Sequence, residues 1–450
     1  MAGLSNVIYF AYFFQEFALG FLTTMGVQYI AFFLTDTALI PTAVVATILL
    51  IGRIVDVIDV PIIGMIVEKS NLPWGKYRSW LFIAAPLVVV FNLLMFTDLN
   101  VSMSIKVAYL STAYILSYVF VNFCSTSRFA LLPTFTSDQD ERAKLAVRRG
   151  QGATLGQALR GAVTVPLIAF LGGGNDARGY FLTVIIYGAI VIGGLYWLAY
   201  LAKDYDRPGA TKGQKSPSVK EIIIQLGTNK PLLILMLSNI TLLTATNILT
   251  GFGMYYFRYV VGNLMLISLY LPVTFMGGFI GNSVSQYISI KYDKKITYIL
   301  GVAFWFLGML LVYLFAGKNA VLFIAFVTVA QFGYGLANAT IPAFFSDTAD
   351  YGEWKTGKSV RAVNMGLLIF PIKIGVLLGG AIAAYGLAYI GFVAGTKDPV
   401  IIQNIRTMTA VLPMLVSILA AVIMYFYPLT KDKVRLLQQE IKSRVSAQLS

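Results

Sequence analysis

Long apolar runs separated by short polar turns follow one another from end to end of this sequence. Twelve runs reach about 20 residues or more, the length that crosses a bilayer as a helix. They lie at 6–35, 39–67, 79–97, 105–133, 150–171 and 179–201 in the first half, and at 230–261, 264–290, 297–316, 320–345, 363–393 and 401–427 in the second. The pattern predicts an all-α integral membrane protein of about twelve transmembrane helices. One long polar stretch, KDYDRPGATKGQKSPSVKE from Lys203 to Glu221, interrupts the pattern near the midpoint. It divides the chain into two six-helix bundles, 1–201 and 230–427, joined by a cytoplasmic linker, 202–229, and followed by a cytoplasmic tail, 428–450.

Two six-helix halves are the layout of the major facilitator fold. The halves rhyme weakly: GMIVEKSNLPWGKYR after span two and GNSVSQYISIKYDKK after span eight both place glycine ahead of a basic turn. Composition then narrows the chemistry. Of 450 residues, 58% are hydrophobic and 12% charged, with mean hydropathy +0.77; soluble chains carry about twice that charged share. The first run is too long, and too polar in its middle, for a cleaved signal peptide. A single cysteine, Cys124, excludes a disulfide framework, and the lack of histidine removes most zinc and haem chemistry. The net charge of +14 would suit a nucleic-acid partner, but its distribution argues otherwise. Assigned to alternate loops, about 24 Lys and Arg fall on one side and about five on the other. The rich side is cytoplasmic by the positive-inside rule, so both termini are expected there, in a plasma (bacterial inner) membrane.

Ionisable side chains inside a bilayer cost a few kcal/mol or more, so each is a functional candidate. The spans place Glu16, Arg53, Asp56, Asp59, Arg128, Arg160, Arg258 and Lys373 there. Span two is densest, in GRIVDVIDVPIIG, where Arg53, Asp56 and Asp59 are spaced by three along one helix face. Two carboxylates one turn apart cannot comfortably both stay ionised and unpaired in low dielectric. Either one takes a proton, or a cation sits between them, or Arg53 and Lys373 compensate. The first two options describe a cation-coupling site; the third is a structural ion-pair cluster. Pro61 and Gly64 loosen the same helix. Arg160 and Arg258 are close enough to helix ends to snorkel, while Arg128 falls between the interior and the cytoplasmic end of span four. Lys373, in FPIKIGVLLGG, is near the middle of span eleven, on a glycine-rich flank that lets another helix approach.

At these residues the sequence resembles the glycoside–pentoside–hexuronide:cation symporters, the group that includes the melibiose carrier. The resemblance covers essentially the whole chain. It is carried by FFQEFALG in span one, GRIVDVIDVPIIGMIVEKSNLPWGKYRSW across span two, LLPTFTSDQDERAKLAVRR after span four, and FSDTADYGEWKTGK through FPIKIG. The family pattern D-x-x-D-Y-G-E-x-K-T-G is met by Asp347, Asp350, Tyr351, Gly352, Glu353, Lys355, Thr356 and Gly357. The resemblance implies uptake of a sugar or glycoside coupled to Na+, Li+ or H+, with no other cofactor. By position, Asp56 matches the first cation-site carboxylate, Lys373 the lysine near that site, and Asn122 a threonine ligand in span four. Glu16 matches an acidic residue that contacts sugar, and Arg149 the last arginine of E-R-x-x-L-x-x-x-R, here Glu141, Arg142, Leu145 and Arg149.

The departures shape the expectation. The family's D-x-x-x-D-P becomes Asp56, Asp59, Val60 and Pro61, which moves the second carboxylate roughly 100° round the helix. Two carboxylates remain, a Na+ site at Asp56 and Asp59 if several oxygens converge, and a proton site if they do not. On the sugar side, a contacting aspartate becomes Ser125, a stacking tryptophan becomes Phe129, and a span-ten tryptophan becomes Asn338. These departures put a galactoside site in doubt and leave a different glycoside, a pentoside or a uronide open, with arginines near the site favouring an anionic one. The expected partners are therefore a small-molecule glycoside and membrane lipid. The same fold carrying a lysolipid, or acting as a non-transporting membrane sensor, is the alternative.

One motif points elsewhere. GEWKTGKS, 352–359, fits the phosphate-loop pattern G-x-x-x-x-G-K-[ST] at every position. A phosphate loop must leave a strand and open a helix, whereas this one is expected in a short cytoplasmic loop between two spans, so neither ATP nor an enzyme activity is expected. Arg53, Asp347, Asp350 and Glu353 are instead read as gating or coupling residues, with Glu353, Lys355 and Lys358 forming ion pairs to the other half that break during turnover. The tail, KDKVRLLQQEIKSRVSAQLS, is expected as an amphipathic helix in solvent or on the membrane surface.

Overall fold

The structure, a computed structural model, describes residues 4–136, 138–206, 227–357, 364 and 367–449. Among them the secondary structure is helical. In the first half the long helices are α1 (Asn6–Thr37), α2 (Thr42–Lys69), α3 (Arg78–Met95), α4 (Met103–Phe135), α5 (Gln139–Gly172) and α6 (Asp176–Leu201). In the second they are α7 (Lys230–Val261), α8 (Ile267–Lys291), α9 (Lys294–Ala316), α10 (Ala320–Thr356), α11 (Ile369–Tyr389) and α12 (Pro399–Tyr425), with α13 (Lys431–Leu449) after them.

Eleven of these helices are long and apolar enough to cross a membrane among the described residues. The twelfth expected span, α2, has the length, 28 residues, or about 42 Å of rise. Every 18-residue stretch of it holds Arg53, Asp56 and Asp59, which takes it out of the apolar class.

Local chemistry sets the helix ends. Asn175, Asn229, Asp293, Asn319 and Asp398 each accept a backbone N–H at the start of α6, α7, α9, α10 and α12, the role for which Asx side chains are favoured. The start of α3 is capped from a distance. Asp206, fully buried, accepts the backbone N–H groups of Lys76 (3.2 Å), Tyr77 (2.7 Å) and Arg78 (2.7 Å). Gly75 stands at φ +127° beside it, a conformation open to glycine.

The chain forms two compact units. One contains α1–α6 with the short stretches Asn263–Pro272 and Leu387–Thr396. In it α1 packs on α5 and α6, α3 on α4 and α6, and α2 on α4. The other contains the rest of α7–α13, with α9 against α10, α12 against α7 and α9, and α13 against α10. Small residues let backbones touch. A Cβ on Gly301 would come within 2.5 Å of the Gly333 carbonyl, and one on Gly308 within 2.6 Å of the Ala330 nitrogen.

Three expectations about the polar ends of the helices are corrected. Helix α5 begins at Gln139, so the basic stretch through Arg149 is helical rather than loop. Helix α10 runs on to Thr356 and ends at Gly357, in the left-handed conformation at φ 70°. Asp347, Asp350 and Glu353 are therefore helical residues. The phosphate-loop motif begins inside the C-terminal turns of a helix, the reverse of what phosphate binding needs; Lys358 and Ser359 lie outside the described residues. Lys355 donates to the Thr228 carbonyl (2.8 Å). Finally, α13 is docked, not solvated. Val434 and Leu437 join the core that holds Phe344 and Tyr427, and Gln438 donates to Asp350 (2.8 Å).

Candidate cation and substrate site

The first unit gathers the intramembrane charges in two clusters. In the first, α2 presents Asp56 and Asp59 to Asn122 of α4. The Asn122 side-chain nitrogen donates to Asp56 Oδ1 at 2.7 Å and to Asp59 Oδ1 at 2.8 Å. All three residues are more than 90% buried. Arg53, also buried, reaches Asp56 Oδ2 at 3.6 Å, donates to the Tyr118 hydroxyl (2.7 Å) and the Gly26 carbonyl (3.2 Å), and lies 4.1 Å from the Tyr118 ring centre. The sequence grouping of Arg53, Asp56, Asp59 and Asn122 is thus one physical cluster. Asn122, which the resemblance puts at a ligand position, offers its N–H groups to the two carboxylates that face it, since a carboxylate is satisfied by donors. Chemically the cluster is a carboxylate pair spanned by a neutral donor, able to exchange that donor for a proton or a small cation.

The second cluster lies nearer the N-terminus of α1, about 15 Å along that helix from Gly26 to Glu16. Glu16 is ion-paired with Arg128 of α4, whose Nη1 also donates to the Gln15 Oε1 at 2.9 Å. The Phe129 ring centre lies 4.6 Å from the Arg128 guanidinium and 4.7 Å from that of Arg149. Arg160 of α5 donates to the Phe17 carbonyl (3.2 Å) and sits 5.5 Å from the Phe21 ring. It is only 6% exposed, which corrects the snorkelling expected of it; Arg258, by contrast, is exposed near the end of α7. A Cβ at Gly20 or Gly156 would strike the Arg160 side chain, and one at Gly152 would strike the Phe13 backbone. Glycines on the α1–α5 seam therefore make the space in which these arginines meet α1.

Glu16, Phe129 and Arg149 are brought together as expected, and Ser125 is half-buried on α4 one turn before Phe129. Lys373, on α11, and Asn338, on α10, are half-buried residues of the other unit. Asp347 is paired with Lys294 in that unit. Sequence reasoning did not assign Arg128 or Arg160 to the site and passed over Gln15. The available signal was the run GQGATLG on α5, whose small residues announce close approach.

A membrane-embedded helical protein with paired ionisable groups in its interior has the build of a secondary transporter. The chain matches the family described as MFS/sugar transport protein over residues 11–431 and belongs to it, among the sugar-type symporters of the major facilitator superfamily. It is similar to the isoprimeverose transporter of Lactiplantibacillus pentosus, 28% identical over 95% of this chain and 90% of that one. It is equally similar, at 28% over 96% and 94%, to the glucuronide carrier protein homolog of Escherichia coli strain K12. A putative sulfoquinovose importer of the same organism is 27% identical over 95% and 91%. Among solved structures, a bacterial homolog of the human lysosomal transporter Spinster, inward-facing and unoccupied, matches with TM-score 0.71 at 14% identity, covering 94% of this chain and 98% of that one. The nucleoside transporter NupG matches with TM-score 0.63 at 16% identity, covering 94% and 100%. These two share the fold. The chain is a multi-pass membrane transporter, not an enzyme, of a superfamily that needs no cofactor.

Proposed function

We propose that this chain is a secondary active symporter that takes up a sugar or glycoside, pentosides and uronides included, with H+ or Na+ by alternating access of the halves 1–201 and 230–427. Both termini lie in the cytoplasm and the membrane is a bacterial inner membrane. The observation that carries the reading is Asn122 spanning Asp56 and Asp59, a carboxylate pair held inside the bilayer where charge is costly. Arg53 stands 3.6 Å from Asp56, and the carboxylate pair is the part of the cluster that a proton or small cation would join. Neutralising the pair with a cation lowers the cost of moving it through the apolar barrier between states, which ties substrate movement to cation movement. Two carboxylate oxygens on one amide suit a proton, which needs one acceptor, better than Na+, which like other hard cations collects several oxygens.

The test is a panel of radiolabelled pentosides, hexosides and hexuronides in proteoliposomes, each run with an inward Na+, Li+ or proton gradient. Uptake of one class that follows one gradient is expected. Binding without uptake would replace the symporter with a sensor, and uptake of a lysolipid in place of every sugar would replace the substrate class.

A further inference from the structure

At one end of the second unit two turns are sewn together, and positive charge gathers on the seam. The turn at 291–294, between α8 and α9, lies against the stretch 425–431 between α12 and α13. Lys295 donates to the Tyr425 and Tyr427 carbonyls at 2.7 and 2.9 Å, and Lys431 to the Ile290 carbonyl at 3.2 Å. These acceptors are neutral, so they fix the two ammonium groups in place without cancelling their charge. Asp293 is the carboxylate at the seam, and its oxygens accept the backbone N–H groups of Lys295 (2.9 Å) and Lys431 (3.2 Å). Lys433 is near enough to repel Lys295 electrostatically, and Lys291 lies 5.3 Å from the Tyr292 ring centre. The neighbouring cations differ: Lys294 pairs with Asp347, and Arg435 with Asp432 at 3.9 Å.

The rim of the seam is aromatic and open. Tyr292, Tyr425 and Phe426 are 56%, 70% and 66% exposed, and the Lys295 ammonium lies 5.6 Å from the Tyr425 ring centre. Amphipathic rings at the end of a membrane helix sit at the level of the lipid headgroups. Exposed apolar side chains continue from the rim along the packed helices α9 and α12, Ile296 and Leu300 on the one, Leu419 and Val422 on the other. We propose that the seam is a binding site for an anionic phospholipid. Lys291 and Lys433 meet its phosphate, the exposed rings lie at the glycerol level, and an acyl chain covers the apolar residues of α9 and α12. Charge complementarity selects this occupant, since basic pockets between spanning helices take anionic headgroups. A soluble anion would answer the lysines and leave the rings and apolar strip bare. Bound there, the lipid fastens the start of α13 to the turn before α9. The docking of α13 through Val434 and Gln438 then depends on lipid composition, whatever the cargo.

The experiment uses the full-length protein in a neutral detergent with dioleoyl phosphatidylglycerol, dioleoyl phosphatidylcholine or sn-glycerol 3-phosphate added. Bound lipid is counted by native mass spectrometry, and thermal unfolding is recorded on the same samples. Phosphatidylglycerol is expected to bind about tenfold or more tightly than phosphatidylcholine, the worth of two lysines beside an anionic headgroup, and to raise the melting temperature. Glycerol 3-phosphate should leave that temperature where it was. Added salt should narrow the preference, because the lysines are exposed. Lys291→Gln combined with Lys433→Gln should abolish it, whereas Lys291→Arg with Lys433→Arg, which keeps the charge, should preserve it. Lys318→Gln, an exposed lysine on the α9–α10 turn, should bind both lipids as the parent does. Equal binding of the two lipids by the parent overturns the site, and so does an equal loss of preference in Lys318→Gln. Stabilisation by glycerol 3-phosphate to the same extent as by phosphatidylglycerol replaces the lipid with a free phosphate ester. A double Gln variant that unfolds without cooperativity, with the Arg pair losing the preference as well, overturns the assignment of Lys291 and Lys433. None of these readouts needs a transported substrate, so their failure leaves the symporter reading untouched.

Discussion

Asp56→Asn is the sharpest probe of the coupling cluster, because the surroundings state what it removes. Asp56 accepts one hydrogen bond from Asn122 at 2.7 Å and pairs with Arg53 at 3.6 Å. At an effective dielectric of about 20, a pair at that separation is worth roughly 5 kcal/mol before desolvation is counted. Arg53 keeps the Tyr118 hydroxyl, the Gly26 carbonyl and the Tyr118 ring, so the net loss of stability is smaller, about 1–2 kcal/mol. The loss of coupling is larger and different in kind. A tenfold inward cation gradient is worth about 1.4 kcal/mol and supports about tenfold accumulation by a carrier moving one cation per sugar. The variant, with one carboxylate left, should equilibrate its substrate without accumulating it. The assay follows labelled substrate in proteoliposomes, first under the gradient and then in gradient-free exchange, with thermal unfolding recorded on the same preparation. Accumulation is expected to fall to the external concentration while exchange continues. Tenfold accumulation by Asp56→Asn would refute the coupling assignment. Loss of exchange in a protein that still unfolds cooperatively would refute it too, by placing Asp56 in the sugar site.

Other predictions concern the scaffold. Asp206→Ala deletes the acceptor of three backbone N–H groups at the start of α3 and should destabilise by roughly 3 kcal/mol, read as a lower melting temperature in detergent; an unchanged temperature would remove the capping role. Gly308→Val puts a side chain where a Cβ already lies 2.6 Å from the Ala330 nitrogen and 2.7 Å from the Phe326 carbonyl, so monodisperse protein should be lost, whereas Gly193→Ala, with open space around it, should purify as the parent does. Removing residues 431–450 strips Val434 and Leu437 from their core and Gln438 from Asp350, and should lower the melting temperature by several degrees, roughly 1–3 kcal/mol of stability; no change would return the tail to solvent.

What the sequence made legible follows from the physics of each signal. Span positions were readable because bilayer thickness imposes a length on every run, and the acidic pair because burying charge is expensive enough to be informative wherever it occurs. The C-terminal end of α10 was not readable in the same way. Hydropathy falls at Asp347 and Asp350, but helix continuation depends on backbone bonding, and the helix persists to Gly357, which provides the left-handed residue that ends it. Arg160 was misplaced because distance to a helix end measures whether an arginine can snorkel, not whether a neighbour has left room for it. That room comes from Gly20 on α1, 140 positions away by numbering, and Gly156 on its own helix. The Arg128–Glu16 pair spans 112 positions and exists only once α1 and α4 are packed in one bundle.

The charge of the cargo decides what drives a carrier of this kind. The coupling cluster holds the carboxylates Asp56 and Asp59, with Arg53 3.6 Å from Asp56, and a bound cation adds one positive charge there. A carrier that moves one monoanionic uronide with one cation moves no net charge, and a membrane potential, worth about 2.3 kcal/mol per charge per 100 mV, does not drive it. A neutral glycoside carried with the same cation would be driven by the full potential. Charge displacement on a supported membrane separates the two: methyl β-glucuronide should give uptake with little sustained current, and its accumulation should follow the cation's chemical gradient alone. A steady inward current of one positive charge per glucuronide would mean that two cations accompany it, and the pair Asp56 and Asp59 would then have to take both.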